Sequence, residues 1–317
     1  MTALLWARNG YKVGLVPELS TKQPDIKAEK DGREWFIECK RLSKASDYGE
    51  RERAKWLKMY TYLPQLLHRF DLVLEVTFHV ELFELKDSFL FDILRDKLNK
   101  KPKNGLLVNN SKVTIRVSFA NFATINAHLE KFSVRNPSPQ MSELIGGKRD
   151  DTFGFTSGAV AQNFRLGSGI GNNIFAEQIS KAWGAYWKSA SSSAIDAKAR
   201  DISRQIRAAI KQLPSDQATV IHIGIETYDG PEVEIRRFDK INKTMNDLGI
   251  EGENLSWVYC HFFQSYSPPD QHHVFDESLY RFKNMDIDLS EPLEETSLII
   301  PWENNEENNL HWMKEQP

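Results

Sequence analysis

Residues 34–42, Glu-Trp-Phe-Ile-Glu-Cys-Lys-Arg-Leu, constrain this chain more than any other stretch. Side chains along a strand alternate between faces, so Phe36, Glu38 and Lys40 share one face and Trp35, Ile37 and Cys39 the other. A strand that is apolar up to its middle and then sets a carboxylate beside an ammonium puts charges at a core margin. There they are costly unless paired or bound to metal. Lys30-Asp31-Gly32 precedes it and carries the Asp-Gly signature of a tight hairpin. Residues 25–29 then form the partner strand, and Asp25 approaches Glu38 from that side.

The rest of the chain frames this hairpin. At 317 residues it is near the limit for one core, so two domains, or one domain with a large insertion, are expected. With 40% apolar and 27% charged residues it reads as globular rather than disordered. No apolar run is long enough for a membrane span, and residues 1–16 lack the pattern of a secretory signal. Two cysteines, Cys39 and Cys260, make neither a disulfide framework nor a zinc set, which suits a reducing, cytoplasmic setting. Charge is divided unevenly. Residues 1–245 hold 38 Lys and Arg against 29 Asp and Glu, whereas residues 246–317 hold 3 against 15. A basic body of this kind accommodates a polyanionic partner.

The hydrophobic pattern predicts a short helix over 2–9, closed by Gly10, and a strand over 11–16 before the hairpin. Residues 47–70 read as a helix that Pro64 kinks or divides. A strand (72–85), a helix (89–98), a basic loop (99–105) and a strand (113–119) follow. Residues 133–172, rich in Gly, Ser, Asn and Pro, read as a long surface connection. Their glycines lack the Gly-Lys-Ser/Thr of a phosphate-binding loop. Residues 174–189 read as helical, 194–213 as one long helix ended by Pro214, 218–227 as a buried central strand rich in isoleucine, and 255–266 as a further strand.

The chemistry follows from the paired acids. Two carboxylates a few ångströms apart repel each other unless a cation lies between them. Magnesium takes hard oxygen ligands from one or two carboxylates and completes its shell with water and substrate phosphate. A neighbouring lysine orients or deprotonates an attacking water, or neutralises charge on the phosphate. The backbone carbonyl of Cys39, between the two charged side chains, offers one more ligand position.

Pro24-Asp25 followed by Glu38-Cys39-Lys40, thirteen positions on from Asp25, resembles the PD-(D/E)xK nuclease superfamily, the restriction-endonuclease-like fold. The resemblance implies an α/β core, a central mixed sheet flanked by helices, here carrying a large α+β insertion. It implies first core residues at 1–45, an insertion at 46–190, second core residues at 191–285 and an acidic C-terminal tail at 286–317. It implies a metal-dependent nuclease that hydrolyses phosphodiester bonds, in DNA more than RNA, in the service of phage defence, restriction or repair. Asp25 and Glu38 then hold Mg²⁺, or Mn²⁺ in its place, with the Cys39 carbonyl, and Lys40 assists the water. Members often add a glutamate from the first helix. Residues 1–10 contain no acid, so Glu18 is the nearest substitute. Gln205 and Gln212 resemble the glutamine that some members carry on a later helix, and Gln205 is taken as the secondary site residue. A homodimer or a protein partner is compatible with the family. A nuclease-like module that binds without cutting is the alternative.

Basic residues supply the expected backbone contacts: Arg41 and Lys44 beside the site, and Arg200, Arg204, Arg207 and Lys211 on one face of the long helix. The eight histidines show no metal-ligand spacing, and His222, inside an apolar strand, reads as a satisfied core residue. No Gly-x-Ser-x-Gly elbow supports a serine hydrolase.

Overall fold

The computed structural model describes residues 1–17, 23–42, 46–146, 154–165, 174–214, 217–226, 229–247, 255–266, 269–270, 274–284, 290–294 and 298–300. In chain order the first elements are α1 (Thr2–Arg8), β1 (Lys12–Leu15), β2 (Ile26–Lys30), β3 (Arg33–Leu42), α2 (Asp47–Tyr60), α3 (Pro64–His68) and β4 (Leu72–Phe78). After a 3₁₀ turn at Leu82–Glu84 come α4 (Phe89–Lys97), β5 (Gly105–Asn109), β6 (Val113–Phe119), α5 (Phe122–Leu129), α6 (Pro139–Gly146), β7 (Gly154–Arg165) and β8 (Ile174–Ser189). The last are α7 (Ser192–Lys198), α8 (Asp201–Ile210), β9 (Thr219–Glu226), α9 (Pro231–Asn246), β10 (Leu255–Tyr266) and β11 (Val274–Lys283). The protein is a mixed α/β chain with two mixed sheets flanked by helices. It divides into two compact units, one of Met1–Ser46, Lys198–Gln264 and Phe275–Pro317, the other of Asp47–Ala197 and Ser265–Val274.

The first unit is built on a six-stranded sheet of order β1-β2-β3-β9-β10-β11. β1, β2 and β3 form an antiparallel meander, and β3, β9 and β10 run parallel. Alternation along the central strands sorts their side chains into two cores. Ile221, Ile223 and Ile225 of β9 and Val258, Cys260 and Phe262 of β10 pack with Ile202, Ile206 and Ala209 of α8 and with Ile241 and Met245 of α9. Ile37, Val220 and Tyr259 face the other way, onto Leu5 and Trp6 of α1 and Leu293. Residues 286–317 read as a tail from their charge, yet residues 290–294 and 298–300 pack within this unit: Leu293 is buried, and Leu298 and Ile299 lie against the same core. Their apolar positions, not their net charge, decide that placement.

The second unit holds a five-stranded sheet of order β5-β6-β4-β8-β7, in which only the β4–β8 pair is parallel. Leu72, Leu74, Val76 and Phe78 of β4 pack with α2, α3 and α4. Val73 faces a second core with α5, α6 and β8. Pro64 divides the helix over 47–70, as its missing N–H requires.

The fold departs from the hydrophobic pattern in several places, and the strand expected over 72–85 ends at Phe78. Residues 174–189 form strand β8, not a helix. The segment carries three Ala and two Trp, and its buried run Gly184-Ala185-Tyr186 breaks the apolar–polar alternation that marks a half-exposed strand. Residues 133–172 contain α6 and β7 besides their connections. The basic loop over 99–105 ends by entering β5 at Gly105. The long helix is two, α7 and α8, separated at residues 199–200, and no Gly or Pro marks that division.

Candidate functional site

The hairpin forms as its turn requires. Asp31 and Gly32 both take positive φ, 53° and 75°, the conformation Asp-Gly adopts when it joins two twisted strands. The register pairs Ile26 with Ile37 and Lys27 with Phe36, so the next step sets Asp25 opposite Glu38. Asp25 closes the pairing with its side chain, since Oδ2 accepts the backbone N–H of Cys39 at 2.7 Å. A strand residue directs its N–H and C=O to the same side. The Cys39 carbonyl therefore also points toward Asp25, beyond the last paired residue of β2.

On the other side of β3, Glu38, Cys39 and Lys40 pair in parallel with Ile221, His222 and Ile223 of β9. This register turns Glu38 and Lys40 to the face covered by α8. Glu38 is 1% exposed. Its Oε1 accepts from the Lys40 ammonium, whereas Oε2 is buried without a hydrogen-bond partner. Burial pushes the Glu38 carboxyl above the usual carboxylate range, the hydrogen bond from Lys40 opposes that, the negative charge of Asp25 adds to it, and the Lys40 charge and the backbone N–H of Asp25 oppose it in smaller measure. Lys40 is held from a second direction by the side-chain oxygen of Gln212, in the turn that follows α8. The Cys39 thiol is pushed up to about 11, mainly by burial.

Asp25, Glu38, Cys39 and Lys40 thus converge. Gln205 does not join them: it lies within α8, and Gln212 makes the contact with Lys40 instead. Both glutamines carry the same sequence signal, and what separates them is that Gln212 falls past the helix end, where the chain turns toward β9. Glu18 and Lys44 lie outside the described residues. Arg41 is 75% exposed, with its guanidinium on Glu226 at the end of β9. Arg200, Arg204 and Arg207 each take part in an interaction within the protein, and Lys211 is exposed just past α8. Among the described residues no group of three or more His, Cys, Asp and Glu side chains is arranged for a metal, so Asp25 and Glu38 stand as a pair.

The opposite face of the sheet carries a polar chain that the sequence announces only through His222. Trp6 Nε1 donates to His222 Nε2 at 3.0 Å. That leaves Nδ1–H of His222 to donate to His261 Nε2 at 2.8 Å, and Nδ1–H of His261 to donate to Glu277 Oε1 at 2.7 Å. The Glu277 carboxylate also accepts the backbone N–H groups of Ile299 and Ile300, at 3.0 and 2.7 Å. His222 is a satisfied core residue. Burial first, and the neighbouring His261 second, hold its pKa well below the ordinary histidine value. The spacing of Trp6, His222, His261 and Glu277 along the chain obeys no motif, because four separate elements supply them. Comparison with family models, with curated proteins and with solved structures returns no match.

Proposed function

We propose that this protein is a metal-dependent phosphodiesterase, a nuclease of the restriction-endonuclease-like kind, with its site on β2 and β3. The observation that carries the reading is the buried, unpartnered Oε2 of Glu38, set across the hairpin from Asp25 and two residues before Lys40. A buried carboxylate oxygen without a donor is costly, and a divalent cation satisfies it. Asp25, Glu38 and the Cys39 carbonyl would hold Mg²⁺, with Mn²⁺ as a substitute. When bound, the metal supplies Lewis acidity and offsets charge on the phosphate.

The chain's own groups do the remaining work. Lys40 brings an ammonium to the water that attacks phosphorus, either orienting it or donating to a phosphate oxygen as negative charge develops. Gln212 and Glu38 fix that ammonium from two sides, so little reorganisation accompanies the reaction. The substrate is a nucleic acid, DNA in preference to RNA.

A cleavage assay tests this. Supercoiled plasmid, linear duplex, single-stranded DNA and a structured RNA are incubated with Mg²⁺, with Mn²⁺ and with chelator. Cleavage that needs the metal, and that falls about 10²-fold or more in Lys40→Ala, is the expected outcome. A second reading, a nuclease-like module that binds without cutting, is favoured by the absence of a third acidic or imidazole ligand among the described residues. No cleavage of any substrate, with wild type and Lys40→Ala binding nucleic acid equally, would establish that second reading.

A further inference from the structure

We infer that the paired ends of β7 and β8 at Phe164 and Phe175 are a stacking platform for single-stranded nucleic acid. The partner's class rests on the phosphodiesterase reading, but the platform lies in the other compact unit and is defined by its own geometry. Phe164 of β7 pairs directly with Phe175 of β8. Their rings stack at 5.7 Å between centroids, with 24° between planes. On the far side of β8, Arg135 forms an antiparallel bridge with the same Phe175. Directly paired antiparallel residues share a face, so Phe164 of β7, Phe175 of β8 and the bridged Arg135 form one row. Two register shifts, between Val160 and Ala161 and between Gln162 and Asn163, precede the row. Such bulges re-aim the side chains that follow them and often lie next to functional sites.

The row has the chemistry of unpaired bases on a charged backbone. Phe164 is 38% exposed. Arg135 and Arg165 are exposed, and neither is ion-paired with a described residue. Lys131 and Phe132, the latter 41% exposed, precede Arg135 in the same segment. Glu177 is the only carboxylate among the described residues 162–165, 174–178 and 131–136. Aromatic faces receive bases of any identity, while arginines meet phosphate. Bases inside a duplex already stack on one another, so the platform selects single strands.

The test is fluorescence anisotropy with a labelled single-stranded oligonucleotide, in chelator, using the full chain carrying Lys40→Ala so that nothing is cut. Phe164→Ala is expected to weaken binding at least about fivefold. Arg135→Gln, which leaves the aromatic pair in place, is expected to weaken binding and to lower the salt slope by about 0.7. Unchanged affinity and unchanged slope in both variants would overturn the platform, as would binding of duplex alone or no binding of nucleic acid. Loss of metal-dependent cleavage with the platform's effects intact would strike only the reading of the Asp25–Glu38–Lys40 site.

Discussion

Glu38 is the residue on which the proposed chemistry turns. It is 1% exposed, and one of its two oxygens has no partner. Without metal, that oxygen lacks the hydration it had in the unfolded chain, and the bond from Lys40 returns only part of the loss. Glu38→Gln removes the charge, keeps the shape and leaves an amide oxygen for Lys40. Metal-free, the variant is expected to melt higher than wild type, by roughly 2–4 °C if the relief is about 1 kcal/mol. Added Mg²⁺ is then expected to raise the melting temperature of wild type and not of the variant, because a ligand stabilises only the state that binds it. Thermal melts with and without Mg²⁺ read both effects. An equal response of the two proteins to the metal would remove Glu38 from the ligand set. At this scale the sequence is most legible where contacts are local. Asp25, Glu38 and Lys40 are brought together by one two-residue turn and a period of two. Gln212 reaches Lys40 from 172 residues away, and no local rule chooses it over Gln205.

Elements impose what single residues do not announce. β8 illustrates this: Ala, Glu, Gln and Lys are interspersed among its aromatic and β-branched residues, pairing on both edges decides for the strand, and the buried run over 184–186 hides the strand period. The glycine at 184 belongs to that context, since a Cβ there would meet the Phe155 ring at 2.4 Å. The polar chain on the opposite face of the first sheet is likewise a product of topology. It joins α1, β9, β10 and β11 through Trp6, His222, His261 and Glu277, and ends on the amides of residues 299 and 300. A pH dependence follows with a definite sign. His222 has a folded-state pKa below its unfolded value, so the stability it contributes is complete above pH of about 6.5 and is lost as pH falls below it. His222→Phe preserves an aromatic ring against Tyr259, which stacks on His222 at 4.9 Å. It leaves the Trp6 N–H unpaired, at a cost of about 1–3 kcal/mol. The variant is expected to melt lower than wild type at pH 8, and the gap is expected to narrow as pH drops from 7 to 5. Melting curves across that range decide the matter. Two parallel pH profiles would show that His222 titrates alike in the folded and unfolded chains.

At the scale of the whole molecule, the two units differ in how completely each closes its own core. The clusters under α2, α3 and α4 and under α5 and α6 draw every buried member from residues 56–187. All five strands of the second sheet come from one continuous stretch of chain, 105–119, 72–78 and 154–189. Residues 265–274 also group with the second unit, but in the first unit the sheet itself is divided: its central strand β9 pairs with β3 across the whole intervening stretch, and residues from both ends of the chain meet under α1. Autonomy is therefore expected to be one-sided. A chain of residues 47–197 contains its complete sheet and both cores, and at this length folding alone buries about 68–70% of the surface that the unfolded chain exposes. It is expected to show a cooperative melt of its own and resistance to proteolysis. Residues 1–46 alone carry Asp25, Glu38 and Lys40 yet lack β9, without which β3 has an open edge and the core around Ile37 loses Val220, Tyr259, Leu279 and Leu293. They are expected to remain unfolded and to bind no Mg²⁺. Circular dichroism and limited proteolysis of the two chains test this asymmetry. A folded, metal-binding 1–46 chain would mean that the hairpin is self-sufficient, and that the parallel strands serve some purpose other than fixing the position of Glu38.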